Sequence, residues 1–205
     1  MEGKIKKNKL KAEEFILTAG RESVTLEEEI KERVPCIMST RRISQIVILA
    51  ALSIALRAAF GALPNIKPIS AIFLVSLCFL PLGDSLWVMA LTMLGSSLIF
   101  GFGLVVFWQI ASFAVVMLLW RILVTPFILK GKLGIELQSI LAGVILFLYG
   151  FSISLPTAWQ FGTNPILYWL NGLSFDVLHS VSTVLFYPII YSIFRRYYPY
   201  EKMDA

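Results

Sequence analysis

Asp176 and His179 are the pair best suited to chemistry in this chain. They stand three residues apart in GLSFDVLHSVSTVLF, residues 172–186, and His179 is the one histidine. On a helix that spacing puts both side chains on one face. The surrounding run is apolar, and a carboxylate within a membrane helix costs roughly 2.5–3.5 kcal/mol on insertion scales. Such a residue is expected to face a bundle interior or a cavity. Three roles are open to the pair: a hydrogen-bonded brace between helices, a contact to a ligand, or acid–base and metal chemistry. Catalysis needs a converging third group. The other ionisable residues in or beside the apolar runs are Arg57, Lys67, Asp84, Arg121 and Glu136. There is no HExxH, no GxSxG, no P-loop and no metal-spaced cysteine pair. The reading is therefore no catalytic residue, no metal and no cofactor, with any ATP hydrolysis left to partner subunits. An intramembrane enzyme using Asp176 and His179, with Arg57 or Lys67 as third group, is the rival reading.

The elements that must position this pair are membrane helices. Of 205 residues, 58% are hydrophobic and 15% charged, and the mean hydropathy is +0.79. Runs near twenty apolar residues recur, and they lack the two-residue alternation of a membrane barrel. Backbone groups in the hydrocarbon core must be satisfied internally, which leaves helices. The net charge of +5 is no nucleic-acid signature, because the basic residues gather at the N-terminus and at helix ends. Cys36 and Cys78 fall before and within the apolar region, so no disulfide is expected. The first thirty residues carry no apolar core of a signal peptide.

The expected architecture is an all-α membrane protein, a six-transmembrane-helix bundle over residues 41–198. An N-terminal extension, 1–40, precedes it and a tail, 199–205, follows. In the extension, Thr25 and Glu28 have capping-box spacing and suggest a short helix ended by Pro35. The spans read as 43–62, 68–81, 86–100, 105–124, 135–155 and 170–194. Pro68 suits the first turn of the second, and Asp84 falls in the tight turn PLGDS. An uncharged aromatic loop is expected over 156–170. Six spans put both termini on one side. Arg41, Arg42, Arg121, Lys130, Lys132, Arg195 and Arg196 share that side, so both termini are expected to be cytoplasmic and the protein multi-pass in the cell membrane.

The opposite, outer face reads as a binding site. Asn65, Lys67, Trp108, Gln109, Trp159, Gln160, Asn164 and Asn171 supply polar groups and aromatic planes there, above Asp176 and His179. Apolar walls with a few polar groups suit an organic ligand. Trp and Tyr also gather at membrane interfaces without a ligand, which is the reading preferred for Tyr168 and Trp169. On the first span, Ala51, Ala55 and Ala59 form a small-residue stripe suited to close helix docking.

Four features resemble one family. ALPNIKPISAI (residues 62–72), the FGFG turn followed by Trp108-Gln109, the 172–186 string and the alanine stripe occur in order on six spans. Together they resemble the substrate-binding S components of energy-coupling factor (ECF) vitamin transporters. The resemblance covers about residues 41–196. It implies a vitamin bound at the outer face, with the 63–67 loop as a lid. It also implies docking through Ala51, Ala55 and Ala59 on a membrane T component that works with two ABC-type ATPases. The PNIKPISAI and FDVLH strings most resemble the cobalamin and corrinoid branch. Another vitamin or small cofactor precursor is the alternative. Membrane lipid is an expected partner and nucleic acid is not. The long N-terminal extension departs from the compact family pattern.

Overall fold

The computed structural model describes residues 39–198. The Thr25–Glu28 capping box, Cys36 and the tail 199–205 lie outside the described residues. From Ile43 onward the described residues belong to one compact unit, the apolar bundle. The described residues form α1 (Thr40–Ala59), α2 (Ile69–Phe79), α3 (Leu82–Phe100), α4 (Leu104–Leu123), α5 (Thr125–Leu129), α6 (Ile135–Gln160) and α7 (Pro165–Tyr197), with no strand among them. Five of these, α1, α3, α4, α6 and α7, are long and apolar enough to cross a membrane.

The sixth expected span is the short α2. Its 11 residues extend about 16 Å at 1.5 Å per residue, about half of a 30 Å hydrocarbon core. Every residue from Ile69 to Cys78 is buried. A helix that is apolar all round has no solvent or lipid face to offer, and it becomes the centre of a bundle. Helices α3, α4, α5 and α7 pack around it. The guanidinium of Arg121 donates to the Leu77 carbonyl at 2.9 Å, satisfying an acceptor at the end of α2 that has no partner within the helix.

Among the boundaries that differ from the sequence expectation, those around Asp84 and Pro156 change what was expected to be loop. Helix α3 begins at Leu82, so Asp84 lies in its first turn and not in a preceding loop. A carboxylate there is favoured by the exposed amides of the helix start. Helix α6 runs through Pro156 to Gln160, so the loop expected over 156–170 shrinks to 161–164. Proline is tolerated inside membrane helices because neighbouring groups make up the lost bonding. Around it, Ser154 Oγ donates to the Gly150 carbonyl at 2.7 Å and Thr157 Oγ1 to the Ile153 carbonyl at 2.6 Å, each a bond from a side chain back onto its own helix. Gly162, at φ +63, then stops α6. The Thr163 amide reaches back to the Ala158 carbonyl at 2.9 Å, the six-to-one bond of a helix-ending glycine turn.

Helices α6 and α7 form the tightest pair, and glycine is the reason. A Cβ at Gly143 would fall 2.5 Å from Val184 Cγ2, and one at Gly150 would overlap the Asp176 carboxylate. The close approach lets Ser180 Oγ donate to the Gly143 carbonyl at 2.6 Å. Lipid is as apolar as leucine, so close packing and interhelical hydrogen bonds carry much of such association. Most other hydroxyls bond within their own helix, as Ser53 does to Leu49, Thr92 to Val88 and Thr183 to His179.

Helix α1 buries Ile46, Leu49, Ala50 and Ser53, which fall at i, i+3, i+4 and i+7 on one face. Ala51, Ala55 and Ala59 lie on the opposite face and are exposed.

Candidate ligand-binding site

The side chains with the greatest chemical capacity gather around segment 60–68 and the facing parts of α3, α4, α6 and α7. Segment 60–68 is fastened to α7. Ser182 Oγ accepts from the Lys67 amide at 3.0 Å and donates to the Lys67 carbonyl at 3.3 Å. Asn65 Nδ2 donates to the Phe175 carbonyl at 3.1 Å. Asn65 takes φ +55, a left-handed conformation that asparagine accepts more readily than most residues.

Arg57, near the end of α1, turns inward. Its guanidinium donates to Ser96 Oγ at 2.6 Å and Gln109 Oε1 at 3.3 Å, and approaches Met93 Sδ at 3.1 Å. Its Nε is buried without a hydrogen-bond partner. The guanidinium carbon and the Lys67 Nζ each stand 5.5 Å from the centroid of the Phe100 ring, within cation–π range. Lys67 has its pKa lowered, first by burial and second by the Arg57 charge.

His179 is 7% exposed and Asp176 8%, so the helical spacing does turn both inward. They do not share a hydrogen bond. His179 Nε2 meets Ser70 Oγ of α2 at 2.5 Å, and the rings of Phe113 and Tyr149 stand edge-on to the imidazole, with centroids at 6.3 and 5.4 Å. Asp176 Oδ2 accepts from Trp169 Nε1 at 3.1 Å. That bond gives Trp169 a role beyond the interfacial belt expected for it. Phe151 packs against the Trp169 ring from α6, centroid to centroid 5.5 Å.

The remaining expected residues divide. Trp108 Nε1 donates to Gln160 Oε1 at 3.1 Å and joins α4 to the end of α6. Asn164 accepts from the Ile166 and Leu167 amides at 2.9 and 3.3 Å. It is the N-cap of α7, a role that asparagine fills well before a first-turn proline. Trp159, 79% exposed, and Asn171, also exposed, turn away from the cluster. Arg57, Ser70, Phe100, Tyr149 and Trp169 join the arrangement without having been counted in the expected site. Arg57 carried a signal in the sequence, since a charge inside an apolar span marks function by default. Tyr149, in the run ILFLYGF, carried almost none.

Chemically, the cluster offers two cations, one carboxylate, amides and aromatic faces within an apolar frame. Among the described residues no group of three or more His, Cys, Asp or Glu could hold a metal ion. No protein-family model matches this chain, and no curated protein and no solved structure matches it.

Proposed function

We propose that this chain is the substrate-binding subunit of an ECF-type vitamin uptake transporter. In this reading it crosses the cell membrane six times, α2 being the short crossing, with both termini in the cytoplasm. It has no catalytic chemistry of its own, and ATP is hydrolysed by two ATPase partners acting through a T component.

One observation carries the reading. Three sequence strings that resemble the family, far apart in the chain, send side chains into one cluster. Residues 62–72 supply Asn65, Lys67 and Ser70. The Trp108-Gln109 pair reaches Gln160 and Arg57. Residues 172–186 supply Asp176, His179 and Ser182. A cluster of polar and aromatic groups within apolar walls is what an organic ligand requires. The exposed alanine face of α1 supports docking on a membrane partner, because small residues allow close helix approach. The family strings favour cobalamin or a related corrinoid as ligand, and another vitamin or cofactor precursor is the alternative.

The test is purification of the full chain in mild detergent, followed by extraction, visible spectroscopy and mass spectrometry. A corrinoid band names the vitamin, and a colourless vitamin keeps the transporter reading with a different ligand. The reading fails if no small molecule is extracted and co-expression with T-component and ATPase subunits gives neither a complex nor uptake.

A further inference from the structure

The charges around the cluster do not balance. The described residues contain three carboxylates, on Asp84, Glu136 and Asp176. Asp84 lies in the first turn of α3, whereas Phe100 closes that helix, so about 24 Å of helix separates them. Glu136 lies in the first turn of α6, away from Gln160, which ends it. Asp176 is the one carboxylate in the cluster, and its Oδ2 accepts from Trp169 while the group packs on Gly150. Neither Arg57 nor Lys67 forms an ion pair with a described carboxylate. Both are half-buried, and both approach the same phenyl ring.

Two neighbouring cations inside an apolar bundle are costly unless something negative meets them. The neutral partners of Arg57 account for its two terminal nitrogens. They aim the guanidinium without cancelling its charge, and the Nε–H is left over. Snorkelling to the interface is the ordinary escape for such side chains. Here the Arg57 head group is tied to Ser96 and Gln109, and the Lys67 backbone is tied to Ser182 in the middle of α7. A guanidinium beside an ammonium is the usual protein answer to a carboxylate or phosphate.

We propose that the ligand presents an oxyanion, a carboxylate or a phosphate, to Arg57 and Lys67, with Phe100 setting the spacing of the two cations. This rests on the transporter reading and narrows it. The ligand is an acid or a phosphate ester, and the neutral version of the same compound is discriminated against.

The experiment uses the full chain in lipid nanodiscs and calorimetric titration with matched pairs. Nicotinate with nicotinamide, pantothenate with panthenol, and biotin with biotinamide test a carboxylate. Flavin mononucleotide with riboflavin tests a phosphate ester. One acidic member should bind, with its neutral partner at least 100-fold weaker, and the pair that responds identifies the oxyanion. K67Q and R57Q should each weaken that binding at least tenfold and reduce the preference. R57Q removes the bonds that tie α1 to Ser96 and Gln109, whereas among the described residues the Lys67 side chain makes no hydrogen bond, so K67Q keeps the test decisive. A ligand that extracts with the protein is judged in the same way, by whether it carries an acid group. Equal binding of a neutral partner, or unchanged affinity in K67Q, overturns the oxyanion and leaves the transporter reading standing. If nothing binds and nothing is extracted, the oxyanion falls, and the transporter reading falls with it when co-expression with T-component and ATPase subunits also gives neither a complex nor uptake.

Discussion

Trp169 Nε1 donates to Asp176 Oδ2 at 3.1 Å, two turns apart on α7. The bond gives a buried carboxylate a donor from its own helix, and the absence of a side chain at Gly150 gives it room. Trp169→Phe keeps the ring and removes the donor. Leaving a buried acceptor short of its partner costs about 1–3 kcal/mol, so the variant should melt several degrees lower in nanodiscs. Gly150→Ala should be worse, because its Cβ would fall on the carboxylate and the α6–α7 pair cannot part without losing Ser180 from Gly143. An unchanged melting temperature in both would remove Asp176 from the structural frame.

Ser182 carries both backbone bonds of Lys67. Ser182→Ala should free segment 60–68 from α7 while the apolar bundle stays folded. The expected result is faster amide hydrogen exchange across 60–68, with α6 and the rest of α7 unchanged. Ligand affinity should fall about tenfold or more, since the ordering of the segment, about 1 kcal/mol or more per residue, then has to come from binding. Exchange rates equal to the parent protein would mean that Asn65 and Phe175 alone hold the segment.

The exposed faces of Ala51 and Ala55 point away from the packed side of α1. Ala51→Trp or Ala55→Trp should therefore change stability by no more than about 0.5 kcal/mol. If this face docks on a T component, either change should abolish uptake and complex formation while ligand binding by the isolated chain is kept. Uptake at the parent rate would refute docking through this stripe.

Burial and the Arg57 charge lower the pKa of Lys67 below 10.5. In the folded protein the proton therefore leaves at a lower pH than in the unfolded chain. The unfolded state binds more protons in the interval between the two values, so stability should rise as pH increases through it. Affinity for an anionic ligand should move the other way, falling as Lys67 loses its charge. Titrations from pH 7 upward should show affinity declining before pH 10.5, and Lys67→Arg should shift the decline to higher pH, because guanidinium keeps its proton. A flat profile would take Lys67 out of anion recognition.

The sequence by itself determined the all-helical apolar class, the five long helices and the inward face of the last one. Apolar length demands membrane helices, because unpaired backbone groups cannot stand in lipid. The three-residue spacing of Asp176 and His179 needs only helix geometry to put both on the buried side. Those signals are local, and so they survive in a single sequence. Tertiary structure decided the partners. Asp176 and His179 suggested a pair, yet one bonds to Trp169 and the other to Ser70. Trp108-Gln109 and Trp159-Gln160 looked alike as dipeptides. In the fold Gln109 meets Arg57, Gln160 meets Trp108, and Trp159 faces outward. Asn164, expected at a ligand, caps a helix. The reason is that a helix as uniformly apolar as α2 carries no sequence signal for its rotation about its own axis. Its rotation is set by neighbouring surfaces, by glycines such as Gly143 and Gly150 that admit close contact, and by the few hydrogen bonds that cross between helices.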